Sequence, residues 1–262
     1  MGTKGMSTEQ ESVKVYLDYN IIRYLQEGRI TIEQIREKLN ITNEIVFPFS
    51  ASHIQEIDNI SDSNPDRDKI ITERVAFINT LSKGHYLYSK LEEPNRLYWK
   101  TTDAFEVLET IREVPFAKSA MKNLSNFVNE SQRKSVREML GVDSKEVNNY
   151  TVTEVLGHLE KMAGMANMTF VEFMAKAKSF HKYSHTFGFH NDVAGVFEML
   201  DMVGYWKDAY KQDSNYARLW DSSHCAFGAY CDLLITNDRN TANKSQVVYT
   251  MYEVSTQIIL WR

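Results

Sequence analysis

Apolar positions along this chain fall into two patterns, one at its ends and one in its middle. Near the N-terminus, Val13-Lys14-Val15-Tyr16-Leu17-Asp18 alternates at first, is rich in β-formers and ends in an acid, which predicts a strand. Asn20-Ile21-Ile22-Arg23-Tyr24-Leu25 then starts a helix that Gly28 ends. The run Ile45-Val46-Phe47-Pro48-Phe49-Ser50 predicts a second strand, which Pro48 places at a sheet edge or a strand end. Behind it, Ser52 is placed to cap a helix through Ile54, Ile57 and Ile60. Near the C-terminus, Asp232-Leu233-Leu234-Ile235-Thr236 reads as a buried strand followed by Asn237-Asp238. Val247, Val248, Met251 and Val254 keep helical spacing before a last strand through Gln257-Ile258-Ile259-Leu260-Trp261. Strands alternating with helices at both ends imply an α/β fold, a parallel sheet with helices on both faces.

From about residue 66 to 231 the patterns are almost only helical, as in Ile70, Ile71, Val75, Ile78 and Leu81, and later in Val196, Met199, Leu200 and Val203. The sheet is therefore expected from the two ends, with a long helical middle between them. Charge divides the same way. The chain carries a formal −5, yet Asn95 to Gln212 is neutral overall, so the flanks hold the acidic excess. Residues 118–137 are locally basic, with Lys118, Lys122, Arg133, Lys134 and Arg137 against Glu130, and residues 161–182 repeat the bias. Such runs are either solvated helix faces or contacts to nucleic-acid phosphates.

The 262 residues and 43% apolar content are those of an ordinary globular protein, long enough to bury a core without covalent staples. Cys225 and Cys231 cannot form a disulfide framework, and their spacing is no recurring zinc pattern, so a reducing cytoplasm is the expected location. The opening MGTKGMSTEQES lacks an apolar targeting region, and no run approaches a membrane span.

Ligands of open α/β sheets collect outside the carboxyl ends of the strands. Asp18 follows the first predicted strand, Glu56 lies on the helix after the second, and Asp238 follows Leu233–Thr236. Asp221 opens the run Asp221-Ser222-Ser223-His224-Cys225-Ala226-Phe227-Gly228-Ala229-Tyr230, whose small residues suit a helix packed closely on the sheet. Taken singly, each acid is as readily a helix cap or a surface charge. As a set they would repel unless cations neutralised them, and hard oxygen donors suit Mg²⁺ or Mn²⁺. Two such ions about 4 Å apart can bracket a phosphodiester.

The stretches VYLDYNIIRYL at 15–25, FSASHIQEI at 49–57 and LWDSSHCAFGAYCDLLITND at 219–238 resemble the PIN domain nucleases. The likeness lies in an Asp-x-Asn after the first strand, a Glu on the helix after the second, and an Asp followed three residues later by His, then small residues and a strand closing in Thr-Asn-Asp. It implies a three-layer α/β/α PIN-like core with a central parallel sheet, formed by residues 12–65 and 213–262. Residues 66–212 would then be a mostly helical insertion, which departs from the compact family pattern. The resemblance further implies a metal-dependent ribonuclease, with RNA ahead of DNA as substrate. Asp18, Glu56, Asp221 and Asp238 would be the metal-binding and catalytic acids, beside Asn20, Thr236 and His224. Many relatives are toxins held in check by another protein, so a toxin or defence effector with an inhibitory or regulatory partner is one implied role, and a homo-oligomer another. A PIN-like RNA- or protein-binding module without catalysis is the alternative.

Other residues carry weaker signals. His181 and His185 lie four apart and would share a helix face, where Asp192 could join them on zinc, but no third spacing fits a zinc motif; His190 lies nearby. Tyr205-Trp206, Tyr98-Trp99 and Phe187 offer rings on which unpaired bases could stack. Asp232, preceding its strand, is expected at the opposite end of the sheet. No P-loop, dinucleotide fingerprint or hydrolase elbow occurs, which disfavours those chemistries.

Overall fold

The computed structural model describes residues 12–90, 92–113, 130–206 and 214–262, the side chains of 130, 132, 133 and 214–219 excepted. β1 (Val13–Leu17) leads through α1 (Tyr19–Gln26) and α2 (Ile32–Leu39) to β2 (Ile45–Val46). Then come β3 (Phe49–Ser50), α3 (Ala51–Asp58), α4 (Arg67–Ser82), β4 (His85–Lys90), β5 (Glu93–Thr101) and α5 (Ala104–Glu113). Next are α6 (Glu130–Leu140), α7 (Val152–Gly164), α8 (Phe170–Ser179) and α9 (Phe189–Val203). The chain closes with α10 (Ser214–Gly228), β6 (Leu233–Thr236), α11 (Arg239–Met251) and β7 (Gln257–Leu260).

The fold is α/β. β1, β2, β6 and β7 form a parallel four-stranded sheet in the order β2-β1-β6-β7. Its side chains alternate between two apolar cores, as strand geometry requires. Val15, Leu17, Leu233 and Ile235 pack with Ile21, Ile35, Ile54, Val75 and Leu108 of α1–α5. Tyr16 and Leu234 pack on the other side with Leu159, Phe197, Leu200, Phe227 and Val248 of α7 and α9–α11. Burial on both faces explains why β1 and β6 read as near-continuous apolar runs.

The chain leaves β1 toward one edge of the sheet, at β2, and leaves β6 toward the other, at β7. The order therefore reverses between β1 and β6, and the crevice outside their carboxyl ends is the switch point where open sheets bind ligands. Asp18 and the Asn237-Asp238 pair lie at those ends. At the opposite ends, Asp232 Oδ2 accepts the Lys14 N–H at 2.7 Å, so Asp232 pins the two strands together.

α10 lies close on the sheet through its small residues. A Cβ placed at Gly228 would come 2.9 Å from Tyr249 Oη and 3.1 Å from the Leu234 side chain. Cys225 and Cys231 are buried free thiols, and burial pushes both up to about 12.

Three local expectations change. The predicted second strand is two strands: β2 belongs to the main sheet, and β3, after Pro48, joins a second sheet of order β3-β4-β5. The helix behind it starts at Ala51 with Ser50 in the cap position, not Ser52, and stops at Asp58 before Ile60. The middle of the chain is not almost only helix, because residues 85–101 form the antiparallel ribbon β4–β5. Tyr86, Tyr88, Tyr98 and Lys100 share one face of that ribbon at period two, a pattern that lacks apolar contrast and so escapes a hydrophobicity reading. The middle also contributes to both cores, through Val75 and Leu108 to one and Leu159 and Phe197 to the other.

Candidate functional site

Asp18 occupies the N-cap position of α1 but does not cap it. Its backbone N–H continues the β1–β6 ladder to Ile235 O, and its carboxylate instead accepts the Thr236 hydroxyl at 2.6 Å. Only 4% of Asp18 is exposed, so its rotamer is set by Thr236 and by packing. Glu56 comes from α3, which packs against α10, and α10 delivers His224. His224 Nε2 lies 3.2 Å from Glu56 Oε2. One donor atom from each of Asp18, Glu56 and His224 falls within 4.8 Å of the others, the one such group among the described residues.

Behind this trio runs a buried polar chain. Tyr16 Oη lies 2.9 Å from His224 Nδ1 and 2.7 Å from Ser50 Oγ. His53 fills in below: Nδ1 accepts the Ser50 N–H at 3.0 Å, so Nε2 carries the proton and donates to Leu17 O at 2.8 Å. Burial, and then His224, hold the His53 imidazole well below its ordinary range, in keeping with a neutral ring. One set of donors satisfies every link from there: Ser50 Oγ–H to Tyr16, Tyr16 Oη–H to His224 Nδ1, and His224 Nε2–H to the Glu56 carboxylate. A tyrosine hydroxyl both donates and accepts, so it supports either imidazole tautomer.

Asp221 is half-buried on α10, one helical turn before His224. Burial raises its carboxyl well above the usual range, and the charges of Asp18 and Asp238 push the same way. Lys244, on α11, opposes them. Lys244 is itself buried and donates to Asp201 of α9 at 2.7 Å. Burial also raises the Glu56 carboxyl, against the pull of its hydrogen bond with His224.

Asp238 serves α11 as its N-cap, Oδ1 accepting the N–H groups of Asn240 at 2.6 Å and Thr241 at 3.1 Å. Its own N–H donates to Thr236 Oγ1 at 3.0 Å, so Thr236 ties Asp238 to Asp18. Asn20 stands in the first turn of α1, partly exposed, two residues past Asp18.

No family model, curated protein or solved structure matches the chain.

The geometry thus brings Asp18, Glu56 and His224 into one group, sets Asp221 within reach of their charges, and commits one oxygen of Asp238 to a helix cap. His224 turns toward Glu56. Two carboxylates and an imidazole form a donor set of mixed hardness, compatible with a divalent first-row ion. The raised Asp221 carboxyl marks a place where positive charge would relieve repulsion.

The sequence reading passed over Tyr16, Ser50, His53 and Lys244. The first three sit in segments it read as strand and helix start, and no local spacing signals that their side chains meet.

Other candidates separate. Lys118 and Lys122 lie outside the described residues, as does the side chain of Arg133. Lys134 is exposed and pairs with Glu138 at 3.8 Å. Arg137 is half-buried and donates to Val203 O at 3.3 Å, tying α6 to the end of α9. The histidines do not share a site: His181 Nδ1 accepts the Tyr183 N–H, Asp192 pairs with Lys178 at 2.7 Å, and His190 bonds Ser223 Oγ at 2.8 Å. Tyr205 and Trp206 are core residues, closed to stacking with bases, and Phe187 packs against the His181 ring. Tyr98 and Trp99 stay on the surface of β5. No helix among the described residues is long and apolar enough to cross a membrane.

Proposed function

We propose that this protein is a metal-dependent endonuclease with a PIN-like core, hydrolysing phosphodiester bonds in RNA ahead of DNA. The observation that carries the reading is the meeting of Asp18, Glu56 and His224 donor atoms within 4.8 Å at the point where the strand order reverses. In this reading residues 12–65 and 213–262 are the three-layer nuclease core and 66–212 the insertion on it. Asp18, Glu56 and His224 would hold Mn²⁺ or Mg²⁺, with Asp221 and Asp238 at its border, and the imidazole favours Mn²⁺. Bound there, the ion supplies Lewis-acid activation of the phosphodiester and of the attacking water. The chain's own residues fix the geometry. Thr236 holds the Asp18 carboxylate, and Tyr16 Oη, accepting from Nδ1–H of His224, would fix the imidazole with Nε2 deprotonated toward the ion. Control by an inhibitory protein, and a role as toxin or defence effector, belong to the same proposal.

The decisive experiment is cleavage of end-labelled RNA by wild type and Asp18→Asn, with Mn²⁺ and with chelator, alongside thermal melts in both conditions. Expected are Mn²⁺-dependent cleavage and a metal-induced rise in Tm, both lost in Asp18→Asn; binding at a hundred times Kd contributes about 2.7 kcal/mol. Cleavage that survives chelator and substitution would overturn the reading. One observation favours the alternative of a non-catalytic PIN-like module, namely the commitment of Asp238 to a helix cap. That alternative predicts no metal-induced rise in Tm and no cleavage.

A further inference from the structure

The ribbon β4–β5 carries a face that the proposed site does not use. Tyr86 pairs with Lys100 and Tyr88 with Tyr98 across the strands, so these side chains share one face. Lys90 and Arg96 lie over the Tyr98 ring, 4.4 and 4.9 Å from its centroid. Lys100 lies 5.5 Å from the Tyr86 ring and 5.4 Å from the Tyr88 ring. The rings themselves form a line: Phe49 to Tyr86 at 5.0 Å, Tyr86 stacked on Tyr88 at 5.8 Å, and Tyr88 to Tyr98 at 5.5 Å.

Lys90, Arg96 and Lys100 are exposed, and none has a carboxylate partner among the described residues. The ribbon's acids, Glu92 and Glu93, stand at its turn, with Glu93 opposite Lys90 in the register, and neither forms an ion pair with Arg96 or Lys100. A cation resting on an aromatic face keeps its charge and its hydrogen-bond donors, so the tyrosines hold three unspent positive groups in a row.

Position links this face to the site. Ser50, the last residue of β3, pairs with Leu87, so β4 runs on through Tyr88, Ser89 and Lys90 where β3 turns into the helix bearing Glu56. Three strand residues extend about 10 Å. The ribbon is also anchored. Gly188 lies so close to Pro94 that a Cβ there would run into the Pro94 carbonyl, and the other face buries Leu87 and packs Leu97 into a core.

We propose that this tyrosine–cation face binds single-stranded nucleic acid and leads it toward the Asp18–Glu56–His224 group. Cations at strand spacing follow a phosphate backbone, and the half-buried Tyr98 and Tyr88 rings give unpaired bases a surface for stacking, whatever the sequence, while buried Tyr86 fixes the line to the core beneath. The partner's identity rests on the nuclease reading, but binding can be measured without cleavage.

The experiment is fluorescence anisotropy of a labelled oligouridylate with the full chain in EDTA, over a salt series. It compares wild type, the triple variant Lys90→Gln, Arg96→Gln, Lys100→Gln, and a control triple variant at exposed Lys69, Lys145 and Lys176. Each phosphate contact contributes about 0.7 to the slope of log K against log salt on single strands. The ribbon variant should lose about 2 from the slope and roughly a hundredfold in affinity at 0.1 M salt. The control should change neither, and Tyr98→Leu should weaken binding with the slope kept. Circular dichroism melts confirm that the variants fold. Ribbon and control variants that behave alike would overturn the proposal, as would equal, ribbon-dependent binding of poly-L-glutamate. Ribbon-dependent RNA binding without cleavage in any metal would retain this proposal and sink the nuclease reading, and cleavage with ribbon-independent binding would do the reverse.

Discussion

Tyr16→Phe removes one oxygen from the centre of the site's buried chain and leaves the ring in place. Two partners lose a bond, His224 Nδ1 at 2.9 Å and Ser50 Oγ at 2.7 Å. Both residues are almost fully buried, so water does not replace the lost hydroxyl. The nearest substitute for Ser50 is His53 Nδ1 at 3.4 Å, which already accepts the Ser50 N–H. A buried polar group left unpaired costs about 1–3 kcal/mol, so two of them should lower stability by about 2–6 kcal/mol. Urea unfolding at neutral pH reads this as a fall in midpoint with m unchanged. If the chain is coupled as its geometry implies, Tyr16→Phe and His224→Leu will be non-additive by about 0.5–3 kcal/mol in a double-mutant cycle. A loss below about 0.5 kcal/mol for Tyr16→Phe, the range of an ordinary surface change, would refute the reasoning. Strict additivity would show that Tyr16 and His224 do not support one another.

Gly228→Ala should destabilise by about 1–3 kcal/mol through overpacking, because the new methyl meets Tyr249 Oη at 2.9 Å and Leu234 at 3.1 Å; thermal melts measure it, and Leu234→Val in the same chain should recover part. Burial, helped by His224, pushes the His190 imidazole down to about 4. Its pKa is about 6.5 in the unfolded chain, so below that pH the unfolded state takes up a proton that the folded state refuses. Stability from this group is therefore complete above pH 6.5, falls as pH drops toward 4, and totals about 3 kcal/mol. Glu56 and Asp221, whose carboxyls are raised, act with the opposite sign, so the measurement is the difference between wild type and His190→Gln across that window. A difference that stays flat from pH 7 to 4 would contradict the assignment.

The parts of the fold visible in the sequence are those whose burial leaves a local trace. β1 and β6 are covered on both faces, so they appear as apolar runs, and the acids after them mark the rim. The ribbon β4–β5 is half-exposed, with tyrosines, lysines and arginine on one face, and carries no such trace. His224 shows the limit in another way. Its spacing from Asp221 places both on one side of a helix, but which partner it meets depends on α3 packing on α10, between residues 168 apart in sequence. The Lys244–Asp201 pair, 43 residues apart, is equally invisible. Asp238 precedes a helix and so permits two readings from sequence, and the hydrogen bonds to Asn240 and Thr241 show the cap, made through one of its two oxygens.

The charges around Asp221 give the physical ground for proposing a cation here. Folding alone gains nothing from placing Asp221 beside Asp18 and Asp238, since burial and both charges raise its carboxyl. The nearby positive group does not remove the conflict, because Lys244 is already committed to Asp201 at 2.7 Å and offers Asp221 only a partial field. The surrounding structure holds the carboxylates in place regardless, through Thr236, the Asp238 cap and the packing of α10 on the sheet. A fold that fixes like charges together stores a cost that an apolar rim would avoid, and such costs gather at functional sites. On the proposed reading a divalent ion between these residues would turn that cost into binding energy, so the Mn²⁺-induced rise in Tm should be larger above the raised Asp221 pKa than below it. An Asp221→Asn variant should already be more stable than wild type without metal and gain less when metal is added.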